Sequence, residues 1–324
     1  MKMVSNLSVS NSSMVNYKKP KNKFSTLKNN KTLLLMCLPA IIFFFVFSYI
    51  PMPGLYIAFV DYRYDLGIFK SPFVGLSNFK FLIMSGDLLR LTRNTILYNL
   101  VFIIFGSLFQ ILVAILLNEI NAKRFRKVTQ TIMIFPNFIS YVLVGLLAYN
   151  FLNFDYGVIN NILKSLKITP INFYSTPSLW PFIIVITNIW KGAGYGSVIY
   201  FATITNIDTE IIEAALIDGA NTLQKIRYVI LPLLKPTFVI LLLFSLGGIL
   251  RGDFGLFYNL VGSNNSLLFE NTDIIETFVF RSLMNNFNFS LGSAVSFYQS
   301  ILGFFIVTFA NWLVKRIEPE YALF

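Results

Sequence analysis

Six long apolar runs constrain this chain more than any other feature of its sequence. A helix needs about 20 apolar residues to cross the hydrocarbon core of a bilayer. Most of the runs contain a Pro or Gly, which membrane helices tolerate where a neighbouring helix or a cavity satisfies the freed backbone groups. The runs lie at 33–59, 95–117, 128–152, 180–204, 237–258 and 292–314. The sequence therefore predicts an all-α, polytopic membrane protein with about six spans.

The composition agrees with this class and argues against several others. Hydrophobic residues make up 56% of the 324 residues and charged residues 13%. A soluble domain is about half apolar and about a quarter charged. The sequence has no His, the commonest metal ligand and general base, and its single cysteine, Cys37, allows no intrachain disulfide. We therefore expect no catalytic residue and no metal site.

The basic residues indicate the orientation of the spans. They concentrate before the first run and after the second, fourth and sixth runs, as Lys18, Lys19, Lys21, Lys23, Lys28, Lys31, Lys123, Arg124, Arg126, Lys127, Lys225, Arg227, Lys235, Lys315 and Arg316. With six spans, all four segments lie on one side, which the positive-inside rule makes cytoplasmic. Both termini are therefore predicted to be cytoplasmic. Topology accounts for the net charge of +11, so no nucleic-acid partner is expected.

The first external loop also carries bases, which weakens the contrast between the two sides: Arg63, Lys70, Lys80, Arg90 and Arg93. The tail, residues 1–31, is rich in Ser, Asn and Lys, so it cannot bury enough surface to fold and is predicted to be disordered. The first apolar run is too long for a signal-peptide core and is predicted to be a retained helix. Residues 32–324 then form one transmembrane domain.

One cytoplasmic loop, residues 206–236, carries signals for two short helices. Asn206 or Asp208 can cap the start of the first helix. Gly219 can end it, because glycine adopts the left-handed conformation at no steric cost. Connections between helices are usually a few residues long, so two capped helices are more than a connector requires. The loop is therefore interpreted as a helix that docks into a groove on a soluble partner. The alternative is a structured connector with no partner.

The second of these helices has its own start and stop signals. Asn221 and Gln224 have the spacing of a capping box, which begins a new helix directly after the turn. Pro232 and Pro236 are predicted to break that helix and to set the angle at which the chain meets the fifth span. The prediction is a helix, a turn and a helix outside the bilayer.

This loop resembles the EAA loop of the permeases of ATP-binding-cassette importers. The resemblance rests on Glu213-Ala214-Ala215, Asp218-Gly219-Ala220 and Val229-Ile230-Leu231-Pro232. Val229 departs from the isoleucine that is usual two positions before the Leu-Pro pair. In that family the loop is a coupling helix that docks into a cleft on the ATPase. The resemblance thus assigns the coupling role to Glu213, Ala214, Ala215, Asp218, Gly219, Ala220, Leu231 and Pro232.

Further stretches extend the resemblance over most of the chain. They are PMPG at 51–54, VGLSNF at 74–79, NT at 94–95, MIFP at 133–136, DIIETFVFR at 273–281 and AVSFYQS at 294–300. The last two are similar to the oligosaccharide and polysaccharide branch, near the maltose-type permeases. The resemblance implies a multi-pass permease subunit in the bacterial inner membrane that takes part in ATP-driven sugar import.

The resemblance also implies partners. The permease pairs with a second, homologous permease chain, and two ATPase subunits dock on the coupling helices. An extracytoplasmic sugar-binding protein delivers an oligosaccharide to external loops that include residues 153–179 and 261–289. The sequence has no Gly-x-x-x-x-Gly-Lys-Ser/Thr motif, so ATP and Mg²⁺ are expected on the partner ATPase, with no cofactor on this chain. The chain is therefore predicted to be a non-enzymatic translocation subunit.

Polar and aromatic residues inside the fourth and fifth spans are candidates for the substrate pathway. Ionisable groups in spans cost a few kcal/mol and tend to face a bundle interior or a water-filled cavity. The candidates are Asn188, Trp190, Lys191, Gly192, Tyr195, Arg251, Asp253 and Tyr258. The resemblance to maltose-type permeases places sugar contacts at Asn188, Gly192 and Tyr195 and near Ile249, Leu250 and Asp253. The second group lacks the family's aromatic and asparagine residues, so the cavity chemistry must differ from that for maltose.

Other roles for these residues stay open. Trp190 can be a packing aromatic, Arg251 and Asp253 can neutralise each other, and Lys191 can snorkel to an interface. If Lys191 and Arg251 line the cavity, they suit an acidic, uronate-containing oligosaccharide. The alternative function is an ion-coupled secondary transporter, with Asp253 as the main candidate carboxylate in a span and Glu276 in the loop before the last span.

Overall fold

The computed structural model describes residues 31–262 and 264–317. Residues 1–30 of the tail that was predicted to be disordered lie outside the described residues. The described chain is helical, and its β-structure is limited to an isolated antiparallel bridge between Val60 and Phe73. The chain divides into two compact units, residues 1–54 and 55–324.

The described part of the first unit is an apolar helix with its side chains exposed. Helix α1 (Lys31–Phe44) continues into a π-helical turn (Phe45–Tyr49), and a 3₁₀ segment (Met52–Phe59) follows in the chain. No residue of α1 is buried. A helix that is apolar on every face is typical of a membrane span. The predicted first span, 33–59, is confirmed by a candidate span at Lys31–Phe59.

The second unit contains the remaining helices. In chain order they are α2 (Gly67–Lys70), α3 (Ser77–Met84), α4 (Asp87–Glu119), α5 (Lys123–Ile134), α6 (Tyr141–Leu152), α7 (Val158–Ser165), α8 (Trp180–Thr205), α9 (Thr209–Ile217), α10 (Thr222–Lys225), α11 (Leu231–Gly247), α12 (Phe254–Val261), α13 (Phe269–Thr272), α14 (Ile275–Met284) and α15 (Phe289–Ile317). Short 3₁₀ segments precede α6, α8 and α13. Helices α4 and α8 pack along each other and form the centre of the unit.

The long helices confirm most of the predicted spans. Among the described residues, five helical stretches are long and apolar enough to cross a membrane, or six if one bent pair counts as a span. The predicted spans 95–117, 180–204 and 292–314 lie within the candidate spans Asp87–Glu119, Pro177–Thr205 and Phe289–Arg316. Apolar length alone therefore located these helices correctly.

The third predicted span, 128–152, corresponds to a bent pair of helices. Two helical segments, Lys123–Phe138 and Tyr141–Leu152, meet at an angle of 94°. The first segment ends in a 3₁₀ turn that contains Pro136. Ser140 then caps α6, because its side chain accepts a hydrogen bond from the backbone N–H of Leu143 at 3.3 Å. We call residues 136–140 the first break.

The fifth predicted span, 237–258, was wrong at both ends. Helical structure runs from Thr222 to Gly247, and α12 begins only at Phe254. Pro232 and Pro236 do not break this helix, contrary to the prediction. A π-helical turn (Ile226–Ile230) ends two residues before Pro232, and such a turn accommodates a residue that lacks a backbone N–H. We call residues 248–253 the second break.

A buried ion cluster joins α4 to the segment before α14. The carboxylate of Asp273 lies 2.6 Å from the guanidinium of Arg281 and 3.6 Å from that of Arg90, and Thr277 donates to it at 2.7 Å. Arg90 also pairs with Asp87 at 2.7 Å. Arg90 is one of the bases that weakened the charge contrast between the two sides of the membrane. Its charge is neutralised locally by Asp87 and Asp273.

Aromatic packing closes the segment between α7 and α8. The ring of Tyr174 lies 5.1 Å from Trp180 and 5.7 Å from Tyr149. Trp180 is buried, and its indole N–H donates to the backbone carbonyl of Phe173 at 2.8 Å. Burial, reinforced by Tyr149, raises the pKa of the Tyr174 hydroxyl to about 12, so this group stays neutral at physiological pH.

Candidate functional site

The loop between α8 and α11 has the helix–turn–helix form that its capping residues predict. Asp208 caps α9 by accepting from the backbone N–H of Glu210 at 3.0 Å. Gly219 has φ +80° and ends the helix. Asn221 and Gln224 form a reciprocal capping box at the start of α10, with hydrogen bonds of 2.8 and 2.9 Å. These local predictions are confirmed.

This loop exposes an apolar surface. No residue of α9 is buried, Ile217 is 86% exposed and Leu223 is 74% exposed. The residues with a predicted coupling role lie on or beside this surface: Glu213, Ala214, Asp218, Gly219, Leu231 and Pro232 are exposed, and Ala215 and Ala220 are half-buried. Exposed apolar side chains at the end of a polar loop are typical of a protein-binding surface.

The second half of the loop is fastened to the helix bundle. Lys225 pairs with Glu119, at the end of α4, with 2.9 Å between the nearest charged atoms. Ile230 and Leu234 are buried in a cluster with Tyr200 and Ala114 of α8 and α4. The loop thus combines an exposed surface with a firm attachment to two long helices.

At the first break, the Lys191 side chain satisfies the free backbone carbonyls. Its ammonium donates to the carbonyls of Pro136, Asn137 and Ile139, all within 3.2 Å, and lies 4.8 Å from the centre of the Tyr141 ring. Lys191 is 7% exposed. The last carbonyls of a helix lack intrahelical donors and carry partial negative charge, so a cation there is favourable. Lys191 therefore does not snorkel, and its ammonium points at the backbone.

At the second break, two amide side chains satisfy the backbone. Asn99 of α4 donates to the carbonyls of Ile249 and Arg251 at 2.9 and 3.3 Å. Gln299 of α15 donates to the carbonyl of Leu250 at 2.6 Å. Non-helical backbone at membrane depth is tolerated where protein groups satisfy it in this way. Because neutral amides do this work, the Arg251 side chain is not needed to hold the break.

A hydrogen bond joins the two breaks. The hydroxyl of Tyr141, directly after the first break, donates to the carboxylate of Asp253. The same carboxylate accepts from the backbone N–H of Leu256 at 3.1 Å and so caps α12. Asp253 forms no ion pair with Arg251 among the described residues, so the neutralising pair considered as an alternative is not what the structure contains.

A cavity of about 540 Å³, the first cavity, lies between α4, α8, α11 and the second break. Its polar lining comprises Asn99, Ser107, Gln110, Asn188, Tyr200, Ser245, Arg251 and Asp253. Phe102 and Phe244 add aromatic faces. A few placed polar groups among apolar and aromatic ones are typical of a small-molecule site. This mixture suits a sugar, whose hydroxyls need hydrogen-bond partners and whose C–H patches need apolar contact.

Only some of the residues predicted for the substrate pathway line this cavity. Asn188, Arg251 and Asp253 line it. Gly192 and Tyr195 follow Asn188 at helical spacing on the same face of α8, and Tyr195 is 57% exposed. Trp190 lies on the opposite side of α8, about 200° around the helix from Asn188.

Tyr258 belongs to a different part of the fold. Its ring packs against Phe254 at 4.9 Å and Phe280 at 5.0 Å. It lines a narrow pocket beside Arg281 and Asp273. Tyr258 and Lys191 therefore do not line the first cavity.

Two lining residues of α4 were not among the predicted candidates. Asn99 and Gln110 are amides within the apolar run 95–117, and the helical period places them, with Ser107 between them, on one face. A search for polar residues that share one face of an apolar span would have found them. The predicted candidates all lie in the fourth and fifth spans.

Comparison with known proteins identifies relatives over most of the chain. Residues 106–322 match the family described as binding-protein-dependent transport system inner membrane component. The polygalacturonan/rhamnogalacturonan transport system permease protein YteP of Bacillus subtilis (strain 168) is 35% identical and is aligned over 94% of each chain. Protein LplB of the same strain is 32% identical, over 91% of this chain and 92% of its own.

A solved structure is similar over nearly the same length. It is a bacterial ABC transporter involved in the import of the acidic polysaccharide alginate. The matching chain is 33% identical, with a TM-score of 0.81, and the alignment covers 91% of this chain and 99% of that chain. Both the helix arrangement and the sequence therefore agree with those of a transporter subunit.

Proposed function

The chain belongs to the family of binding-protein-dependent transport system inner membrane components, and we propose that it is the permease subunit of an ATP-driven importer of acidic, uronate-containing oligosaccharides. The observation that carries this proposal is the asymmetry of charge in the first cavity. One cation, Arg251, faces the cavity without a local hydrogen-bond partner, whereas the one carboxylate, Asp253, is already engaged.

The asymmetry follows from the hydrogen bonds at the second break. The Arg251 guanidinium makes no hydrogen bond or ion pair to the described residues, although it interacts electrostatically with the Glu276 carboxylate, and the residue is exposed. The Asp253 carboxylate accepts from Tyr141 and from the N-terminus of α12. A guanidinium binds a carboxylate through two parallel hydrogen bonds, which are among the stronger ones in proteins. The carboxylate of an anionic substrate can thus bind Arg251 while the Asp253 carboxylate keeps its own hydrogen bonds.

The relatives support an acidic substrate. YteP is named for polygalacturonan and rhamnogalacturonan, and the similar solved structure imports alginate. These polymers carry a carboxylate on uronate units. The amides of Asn188 and Gln110 offer hydrogen bonds to hydroxyls on the same substrate.

The partners follow from the same proposal. A second permease chain completes the pathway, two ATPases bind the cytoplasmic loops, and an extracytoplasmic binding protein supplies the sugar. ATP and Mg²⁺ are bound by the ATPases, so this chain has no catalytic role. An ion-coupled transporter would need an available carboxylate in a span, and the carboxylate of Asp253, the main candidate, is engaged.

The substrate is tested with the complete transporter in liposomes. Uptake of a uronate oligosaccharide is compared with uptake of the same oligosaccharide after its carboxylates are reduced to alcohols. We expect the wild type to prefer the acid, and Arg251→Gln to lower its apparent affinity about tenfold or more, since a hydrogen bond to a charged group contributes about 1.5–3 kcal/mol. Arg124→Gln, on the exposed side of α5, is the control. Equal uptake of both sugars by the wild type rules out an acidic preference.

We also propose that the surface around Ile217 docks the ATPase. Its support is the high exposure of apolar side chains on a loop that is otherwise fastened to α4 and α8. Ile217→Asp should abolish co-purification of the ATPase and ATP-driven uptake, while folding is unaffected because the side chain touches little of this chain. Ile217→Leu keeps the apolar surface and should behave as wild type. Retention of the ATPase by Ile217→Asp would place the docking surface elsewhere.

A further inference from the structure

A second cavity lies on the other side of the second break. It has a volume of about 790 Å³ and is bounded by the end of α11, the break, the start of α14 and one face of α15. Arg251 and Gly252 line both cavities, so the two meet at the break. The volume is within the range of sites that bind drug-sized ligands, about 300–1,000 Å³.

We propose that the second cavity is a further saccharide subsite, which binds the hydroxyls of an adjoining unit of the same oligosaccharide with Glu276 as the main acceptor. This inference rests on the proposed function of the chain as an oligosaccharide permease. It adds a second binding region and predicts that the transporter distinguishes substrates by chain length.

The polar face of α15 supports a hydrophilic occupant. Ser296, Gln299, Ser300 and Gly303 recur at helical spacing on the side of this span that lines the cavity. Elsewhere α15 carries large apolar side chains, and Phe305 and Phe309 are each more than 60% exposed. Polar side chains in spans tend to face a bundle interior or a water-filled cavity, because exposure to lipid is costly. The small side chains also keep this wall of the cavity open.

Glu276 has unused hydrogen-bonding capacity. Its Oε1 accepts from Gln299 at 2.7 Å, whereas its Oε2 is buried and accepts no hydrogen bond from the described residues. A carboxylate is an acceptor only, and buried acceptors are normally satisfied. A sugar hydroxyl is a donor of the right kind, and a hydrogen bond to a charged acceptor is stronger than one between neutral groups.

Gly252 packs closely against this oxygen. A Cβ added at position 252 would lie 2.7 Å from Oε2 of Glu276 and 2.3 Å from a methyl carbon of Ile274. Any side chain there would therefore crowd the carboxylate.

The placement of charge favours one extended sugar over a lipid tail or a helix of a second chain. Arg251, at the junction, can bind a uronate carboxylate, and the amides of the first cavity and Glu276 of the second then lie on either side of it for hydroxyls. A lipid tail offers no donor to Glu276. An apolar helix would bury both charges without hydrogen bonds, which is costly.

The test is a chain-length series of uronate oligosaccharides, from two to five units, with the complete transporter in liposomes. Glu276→Gln keeps the shape of the side chain and weakens it as an acceptor. We expect it to raise the half-saturating concentration of the longer oligosaccharides about fivefold to tenfold, with little change for the disaccharide. The control is Glu270→Gln, a surface carboxylate 3.5 Å from Arg93 and remote from the cavity.

A second variant tests the same carboxylate from the backbone side. Gly252→Ala places a methyl group beside the Glu276 carboxylate and should give the same length-selective loss. If both variants fold and change the affinity for all lengths equally, or for none, the second subsite is overturned. A length-selective effect that is the same for acidic and carboxyl-reduced oligosaccharides supports the subsite and contradicts only the proposed acidic preference.

Discussion

Both helix breaks leave backbone carbonyls to be satisfied by side chains, and the two breaks differ in whether a charged or a neutral side chain donates. At the first break, the ammonium of Lys191 donates to three backbone carbonyls and is buried. At the second break, the neutral amides of Asn99 and Gln299 bind the carbonyls, and the cation Arg251 faces two cavities. The first cation is part of the scaffold, and the second is available to a ligand.

The difference shows that an ionisable residue in a span indicates function only when its local partners are known. Both residues are basic and both lie in predicted spans, and the sequence alone treats them alike. The groups that satisfy each break distinguish them.

Replacing Lys191 should destabilise the protein more than any other change considered. Lys191→Met removes the donor for three buried carbonyls, each of which costs about 1–3 kcal/mol when left unsatisfied, so we expect a loss of about 3 kcal/mol or more. The thermal midpoint of the purified chain and the yield of folded protein measure this.

Lys80→Met, at an exposed position of α3, is the matched control and should leave the midpoint unchanged. A Lys191→Met protein with unchanged stability but no uptake of substrate would break the comparison, because Lys191 would then act on the substrate and not on the backbone.

Removing the link between the breaks should have an intermediate effect. Tyr141→Phe deletes the hydroxyl that donates to Asp253, which we expect to cost about 2 kcal/mol because the acceptor is charged. It also leaves one oxygen of Asp253 free at the first cavity, so binding of an anionic sugar should weaken. The double variant Tyr141→Phe with Asp253→Asn should recover the binding but not the stability, as measured by uptake and by thermal midpoint. Unaltered uptake by Tyr141→Phe would contradict a role for charge asymmetry in the first cavity.

The pair between Lys225 and Glu119 should show the smallest effect. It is closely spaced at 2.9 Å, but its side chains are 15% and 31% exposed, respectively. Partly exposed ion pairs contribute about 0–1 kcal/mol, so Glu119→Gln should lower stability by less than about 1 kcal/mol. Exchanging the two residues should restore most of that loss. If Glu119→Gln lowered stability as much as Lys191→Met, the size of the loss would depend on charge pairing and not on burial.

The sequence located the long spans but not the breaks, for a physical reason. Apolar length decides whether a segment can cross a bilayer, and α4, α8 and α15 follow that rule. Proline and glycine are tolerated inside membrane helices, so composition does not decide whether a helix continues past them. Pro232 lies in a continuous helix, whereas the chain bends by 94° shortly after Pro136.

The partners of the candidate residues depend on those breaks and so escaped the sequence as well. The carbonyls that bind Lys191 are 52 to 55 positions away and are free only because a helix ends there. Short-range signals, by contrast, were sufficient for the turn at Gly219 and the capping box at Asn221, because every partner lies within a few residues.

The helix that absorbs Pro232 has a mechanical consequence. Helical structure from Thr222 to Gly247 covers 26 residues, about 40 Å at 1.5 Å per residue. One end adjoins the turn at Gly219, and the other ends at the backbone that carries Arg251. A displacement of the turn at Gly219 would therefore be transmitted along this helix and would change the orientation of the Arg251 guanidinium. The π-helical turn at Ile226–Ile230 is then the position at which this helix would bend.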